Sequence, residues 1–527
     1  MVFKALPVLT DYDISPETGF LPVEPPLEIL PDPYFAPWEE TFRCFNGLLL
    51  ASRIRQRVHE LPVLDASRLT TKAEQRRGYL ILCMLSHAYV WGKHELAAEV
   101  LPASLAVPWQ KVADMLEMQP ILTHAAVVLW NWRLFNLDTL ATLSGSSDES
   151  WFYLVTTAIE AKGAPVLSKL LNAIQLVRDD DITGLTQELV TIRGIIEEIV
   201  VVLRKMFERC DPYVFYWKVR PYLAGWENMA EAGLPNGVRY EGVDNGKYKT
   251  LAGGSAAQSS LIHALDVAFG VDHYPTGFRP KKPHHHGHHG HKNGTTVDGE
   301  ATMNGQTDNF YNETVSGRVS PVQPEDTGAG STNFIQKMRF YMPGPHRNFL
   351  THLTEVANIR PYVTSLAASN RATDEEVLKL VAAYDECIHQ IKVFRDVHIQ
   401  MVTLYIIMQA NKGPSISHGG FATKHSITPA NGFSSDANTG KVANGDAAPP
   451  AAAPPVAKKG ASILYPQKII FGAPHGLAKK QEEGNDVIRG TGGTDLIPFL
   501  RQSRDETNES KIVPTPSMIG TSKSSFT

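Results

Sequence analysis

Residues 374–410 form the longest unbroken amphipathic stretch in the chain, with neither Gly nor Pro. Val377, Tyr384, Ile391, His398 and Tyr405 recur every seventh residue, and Val381, Ile388, Arg395 and Val402 fall between them. This 3/4 spacing puts all nine on one face of a helix. Thr373 offers an N-cap, and Asp374, Glu375 and Glu376 suit the positive end of the helix. An otherwise apolar stripe thus carries two polar members, Arg395 and His398, one turn apart. A histidine so placed reads either as a core residue with both ring nitrogens hydrogen-bonded, or as an axial ligand to haem iron with Arg395 beside it to meet a carboxylate. Spacing alone leaves both readings open.

The same periodicity predicts other helices. Leu185, Leu189, Ile192, Ile196, Ile199, Leu203 and Met206 keep 3/4 spacing for three heptads and read as core packing. Further helical patterns cover 38–60, 72–90, 108–117, 151–163, 165–177 and 495–504, with LPASLAVPW as a break before Gln110. Residues 1–35, Pro-rich and acidic, read as an extended arm. Turn-rich sequence at 143–150 divides the chain into a small, mainly helical N-terminal domain (1–142) with room for minor strands, and a large helical domain (151–527). The expected fold class is mainly all-α, the small domain packed on the large one.

Two stretches lack any core pattern. Residues 274–332 and 412–460 are rich in Gly, Pro, Ala, Ser, Thr and Asn, and are expected to be disordered insertions. SILYPQKIIF at 462–471 is a candidate ordered patch. The first insertion contains His284, His285, His286, His288, His289 and His291. These could take up zinc or nickel adventitiously, but with no acidic or Cys partner and no scaffold they make a poor functional metal site.

Composition narrows the classes. A chain of 527 residues, 43% hydrophobic, can bury the cores of two domains. Fifty basic against 55 acidic residues give a net charge of −5, without a basic face, which argues against nucleic acid. Cys44, Cys83, Cys210 and Cys387 are far apart and read as reduced thiols of a cytoplasmic protein. No signal peptide or membrane span is expected, since apolar runs such as 401–408 fall far below the ~20 residues a span needs.

Several motifs then agree with one another. FRDVHIQMVTLYI around His398, DPYVFYWKVRPYLAGW at 211–226, AGGSAAQSS at 252–260, MRFYMPGPHRNFL at 338–350 and RGTGGTDLIPFLRQSRDET at 489–507 together resemble the indoleamine 2,3-dioxygenase family. YDIS and GFLP near the N-terminus and PILTHAAVVLWNW at 120–132 fit the same pattern. The resemblance covers nearly all the patterned sequence and skips the two insertions.

It implies a haem enzyme that opens the indole ring of L-tryptophan with O₂ to give N-formylkynurenine. The expected cofactor is one haem b per chain, with an electron donor for ferric iron, in a protein expected to be monomeric. Carried over, His398 would be the proximal iron ligand, and Arg395 and Asp266 a charge pair beside the haem. Arg220 would meet the substrate carboxylate, a task suited to its planar fork of donors. Phe215 and Phe152 would wall the indole, with Thr156 and His124 nearby. Gly254, Ser255 and Ala256 would form a close-approach turn at the distal haem face, and Thr491 would sit in the GTGGT loop. Taken singly, these read as a surface charge, core aromatics and plain turns. Departures from the family pattern are His124, Val127 and Tyr153, which bear on substrate affinity and stereospecificity rather than on reaction class. The rival is a haem-binding sensor or carrier without turnover; a helical scaffold without cofactor is a weaker third.

Overall fold

The computed structural model describes residues 3–93, 95–134, 137–278, 333–412, 479–482, 485–491 and 495–512. The His tract, the candidate patch at 462–471 and most of both insertions lie outside the described residues.

Helices dominate. The ones that position the site are α1 (Lys72–Trp91), α2 (Ala103–Met115), α3 (Ser147–Arg178), α4 (Ile182–Arg204), α5 (Ser260–Ala268), α6 (Gly344–Val356), α7 (Glu375–Val402) and α8 (Leu496–Glu509). α3 packs on α4, α4 on α7, and α7 on α8. α5 bridges α3 and α6, while α1 pairs with α2 near the N-terminus. A small sheet joins distant segments: β1 (Val100–Leu101) runs parallel to β2 (Val238–Tyr240), which pairs antiparallel with β3 (Tyr248–Lys249). A second hairpin pairs β4 (Lys479–Glu482) with β5 (Asn485–Ile488).

The predicted stripes are buried. Leu185, Leu189, Ile192, Ile196, Ile199 and Leu203 of α4 lie inside, facing Val377, Val381, Tyr384, Ile388 and Ile391 of α7 in one continuous core. Burying each such side chain contributes roughly 1.5–3 kcal/mol. From Arg77 to Trp91 every residue of α1 is buried, so this helix shows no polar face. Its start is set by a capping box. Glu74 N–H donates to Thr71 Oγ1 at 3.2 Å, and Thr71 N–H donates to Glu74 Oε2 at 2.8 Å.

The structure corrects several sequence-based boundaries. The pattern at 38–60 is three short helices, Ala36–Arg43, Phe45–Leu50 and Ile54–His59, separated at Cys44 and at Ser52, whose φ is +53°. α2 begins within the supposed break and keeps Pro108 inside it. α3 is one helix through Pro165, not two. One turn before Pro165, Ala161 is exposed, so water can take the carbonyl bond that proline cannot. The N-cap position of α7 is Asp374 rather than Thr373, and its side chain makes no cap hydrogen bond. The N-terminal arm is packed rather than extended: Ile14, Phe20, Leu21, Leu30 and Phe35 are all buried.

Where the 223–225 strand of chain meets the loop at 251–253, the backbones touch. A Cβ on Gly225 would lie 2.3 Å from both Gly253 N and Leu251 O. Gly225→Ala is therefore expected to cost roughly 1–3 kcal/mol in denaturant unfolding. Gly47 lies in the helix Phe45–Leu50, and a Cβ there meets nothing within 4 Å. Gly47→Ala should instead gain up to about 1 kcal/mol of helix propensity. Equal shifts in the two denaturation midpoints would refute the close-approach argument.

Candidate active site

α3, α5, α7 and α8 converge with the 253–258 loop on a cavity of about 260 Å³. Each residue that the resemblance assigns to the site lines it: His124, Phe152, Thr156, Phe215, Arg220, Gly254, Ser255, Ala256, Asp266, Arg395, His398 and Thr491. Val127 lines it as well. Tyr153, expected to affect substrate affinity, does not; it is fully buried and its hydroxyl donates to Glu149 Oε1 at 2.9 Å.

The walls are mostly apolar. Phe152 and Phe215 meet with ring centroids 4.8 Å apart, and Phe215 meets Tyr405 edge-on at 5.7 Å. Three π-helical turns adjoin the cavity: Ala125–Leu129 follows His124, Phe215–Val219 precedes Arg220, and Thr403–Ile407 carries Tyr405. Each widens its turn and breaks the local 3.6 period, a feature common at functional sites. Gly254 is held by packing, since a Cβ there would lie 2.7 Å from Leu122 Cδ2. Thr491 Oγ1 donates to Gly254 O at 2.7 Å, and Gly253 N–H donates to Thr491 O at 3.2 Å. The chain around Thr491 is thereby stitched to the glycine turn. Gly492 and Gly493 lie outside the described residues.

The histidines of the cavity differ in what their nitrogens do. His124 Nε2 is 2.9 Å from Glu160 Oε1. His263 Nε2 is 2.8 Å from Ala257 O, and its Nδ1 is 3.3 Å from Arg339 Nε. Among the described residues, neither ring nitrogen of His398 has a hydrogen-bond partner. Burial, helped by the Arg395 charge, lowers its pKa to about 4, so the imidazole is neutral at neutral pH with a lone pair available.

Charge is gathered on one side. Arg395 Nη2 donates to both carboxylate oxygens of Asp266, at 2.8 and 2.7 Å, and Nε donates to Ser503 Oγ at 3.2 Å. Arg395 Nη1 is buried and, among the described residues, has no partner. Burial opposes ionisation of Asp266, but Arg395 and His273 outweigh it and hold the carboxyl well below its usual range. Arg220, which also lines the cavity, is 1% exposed. Its Nη2 donates to Arg489 O at 2.8 Å, and its guanidinium lies 5.8 Å from the Tyr216 ring centre.

A family model for indoleamine 2,3-dioxygenase matches residues 8–510. The chain belongs to the indoleamine 2,3-dioxygenase family. It is 34% identical to the indoleamine 2,3-dioxygenase of Saccharomyces cerevisiae, over 96% of this chain and 94% of that one. Indoleamine 2,3-dioxygenase nanC of Aspergillus nanangensis is 29% identical over 96% and 98%. The 6-hydroxytryptophan 2,3-dioxygenase fscD of Fusarium equiseti is 29% identical over 81% and 89%.

Within this family frame, some site residues escaped the sequence reading. His273 and Glu506 complete the charge cluster around Asp266. Glu160, which accepts from Ser259 Oγ at 2.7 Å as well as meeting His124, forms a second polar knot. A partial signal existed in α8, where Gln502, Ser503 and Glu506 share the buried side with Leu496 and Leu500.

Burial lowers His87 to a pKa of about 3 and His263 and His346 to about 4. The unfolded chain takes these protons near pH 6.5, the folded chain only near 3–4. Their contribution to stability is therefore complete above pH 6.5 and lost as pH falls toward 4. The melting temperature of cofactor-free protein should drop across that interval. A flat profile there would contradict the burial of neutral imidazoles.

Proposed function

We propose that this protein is a haem-dependent dioxygenase. It inserts both atoms of O₂ across the indole C2–C3 bond of L-tryptophan or a related indoleamine, giving N-formylkynurenine. That is the first step of the kynurenine route. The observation that carries the reading is the His398 imidazole, without a hydrogen-bond partner among the described residues, facing an apolar cavity in a chain of a dioxygenase family.

The donor set fits haem. No group of three or more His, Cys, Asp or Glu that could hold a metal ion occurs among the described residues. A single imidazole suits an iron that brings its own equatorial ligands. The unpartnered Arg395 Nη1 at the cavity suits a propionate or a similar acceptor. His398 would thus hold the iron of one haem b, with Arg395, Asp266 and Gly254 lining its seat. When bound, the haem supplies O₂ activation, for which no side chain here is equipped.

The protein's part is binding and exclusion of water. Phe152 and Phe215, in contact with each other, would together wall one side of the flat indole, and Arg220 holds the substrate carboxylate with a desolvated, charge-assisted contact. Thr156, Ser255, Ala256, Thr491 and His124 shape the rest of the pocket, with no side chain required as a base. The 6-hydroxytryptophan-cleaving relative supports some latitude in ring substituents, which His124 and Val127 would tune here. The protein is taken to act as a monomer. Four free cysteines fit the reducing cytoplasm, where an electron donor would keep the iron ferrous. Neither nucleic acid nor membrane is assigned a part; no described helix is long and apolar enough to cross a bilayer.

His398→Ala should yield folded protein without haem; a full Soret band with unchanged axial ligation in that variant would reject the ligand assignment. Ferrous wild-type protein mixed with L-tryptophan and air should consume O₂ and form N-formylkynurenine. Arg220→Ala should cut kcat/KM roughly ten- to a hundredfold, the worth of one charge-assisted contact, while leaving the haem spectrum nearly unchanged. Wild-type protein that binds haem yet makes no product would be a sensor or carrier, and the dioxygenase reading would fall.

A further inference from the structure

Behind the Arg395–Asp266 pair, the charge cluster continues through a residue that neither the periodicity nor the family motifs single out. His273 Nε2 lies 3.1 Å from Asp266 Oδ2, and its Nδ1 lies 2.7 Å from Glu506 Oε2. A neutral imidazole carries one N–H, whereas both nitrogens here face carboxylate oxygens. The geometry therefore calls for an imidazolium. The His273, Asp266 and Glu506 side chains are each 7% exposed or less, so water does little to screen them. Burial by itself would lower the pKa of His273, but hydrogen bonds and charge from the two carboxylates outweigh it and raise the value.

Other charges face the group as well. Arg395 on α7 opposes a positive His273, and His263 and Arg339 bear on the same cluster from α5 and from the helix Phe334–Arg339. Glu506 is further held by Gln502 Nε2 at 2.8 Å and by the backbone N–H of Tyr274 at 3.2 Å. Counting Arg395, His273, Asp266 and Glu506, two positive groups balance two negative ones. Two of the four, Arg395 and Asp266, line the cavity, and Glu506 lies on α8, which supplies the cavity residues Leu496, Phe499, Leu500 and Ser503.

The geometry points to His273 as a positioning residue of the cofactor site. By bridging Asp266 and Glu506 it keeps the cluster neutral, leaves Arg395 Nη1 free for a cofactor carboxylate, and latches α8 against the cavity. The inference rests on the haem reading above. Without the imidazolium, Asp266 and Glu506 together would outweigh Arg395. The guanidinium would be drawn more strongly into the protein, and the site would be one charge more negative, which favours ferric over ferrous iron.

The test is a charge cycle on the full-length holoprotein, read by haem loss to an apo-globin acceptor and by the ferric/ferrous midpoint potential. His273→Gln should speed haem loss roughly tenfold or more, the scale of one hydrogen bond to a charged group, and move the midpoint to more negative values. Glu506→Gln alone should move it to more positive values, so the sign is tested even if His273→Gln folds poorly. The double variant should return the midpoint toward wild type, because neutrality is restored although the latch is weakened. Single variants within twofold of wild type in haem loss and with unmoved potentials would overturn the inference while leaving the haem reading intact. So would a double variant shifted as far as His273→Gln. Wild-type protein that takes up no haem would overturn both.

Discussion

The Arg395–Asp266 ion pair is the contact on which the arrangement of the cavity depends. Its side chains are 11% and 7% exposed, so both charges have given up most of their hydration. Desolvation on that scale costs several kcal/mol per ion and is offset only where the geometry is good and the remaining polar atoms are bonded. Here one guanidinium nitrogen reaches both carboxylate oxygens, Ser503 takes Nε, and His273 takes the far side of the carboxylate. Those partners come from α7, α5, α8 and the segment after α5. Separating any of these elements would strand a buried charge, at roughly 3–5 kcal/mol, so the cluster dictates that they meet.

The second constraint is to keep a cavity open inside a core that would otherwise close. Protein interiors pack as densely as organic crystals, and an unfilled apolar hole loses dispersion contacts on every wall. Stiffness comes from the length of α3 and α7 and from their packing on α4. π-Helical turns at 125–129, 215–219 and 403–407 adjoin the cavity and widen the backbone there. The glycines at 225 and 253 let two backbones touch, which places the 253–258 loop as the remaining wall.

Polarity is rationed within that apolar shell. Its polar members are few: Arg220, the Arg395 cluster, and Glu160 with His124 and Ser259. In a low-dielectric cavity each polar group acts strongly on a bound molecule, so a few of them suffice to orient it. The apolar remainder serves a flat aromatic substrate and keeps water from the reacting bond.

Much of the helical framework was legible in the sequence. The stripes of α4 and α7 emerged from 3/4 spacing because a helix between two neighbours must bury one continuous face. His398 and Arg395 stood out because polar residues on such a face demand a reason. The agreement among motifs located the residues that line the cavity. Other features needed the tertiary structure. Pro108 and Pro165 sit inside helices, and the N-terminal arm is packed, because neighbouring elements outweigh local propensity. The π-helical turns leave no period that a pattern could reveal. His273 and Glu506 lie 233 positions apart, and nothing in either neighbourhood announces the other. Periodicity records which face of one element is buried, whereas an ion pair is decided by which elements meet, and that is set by packing across the whole chain.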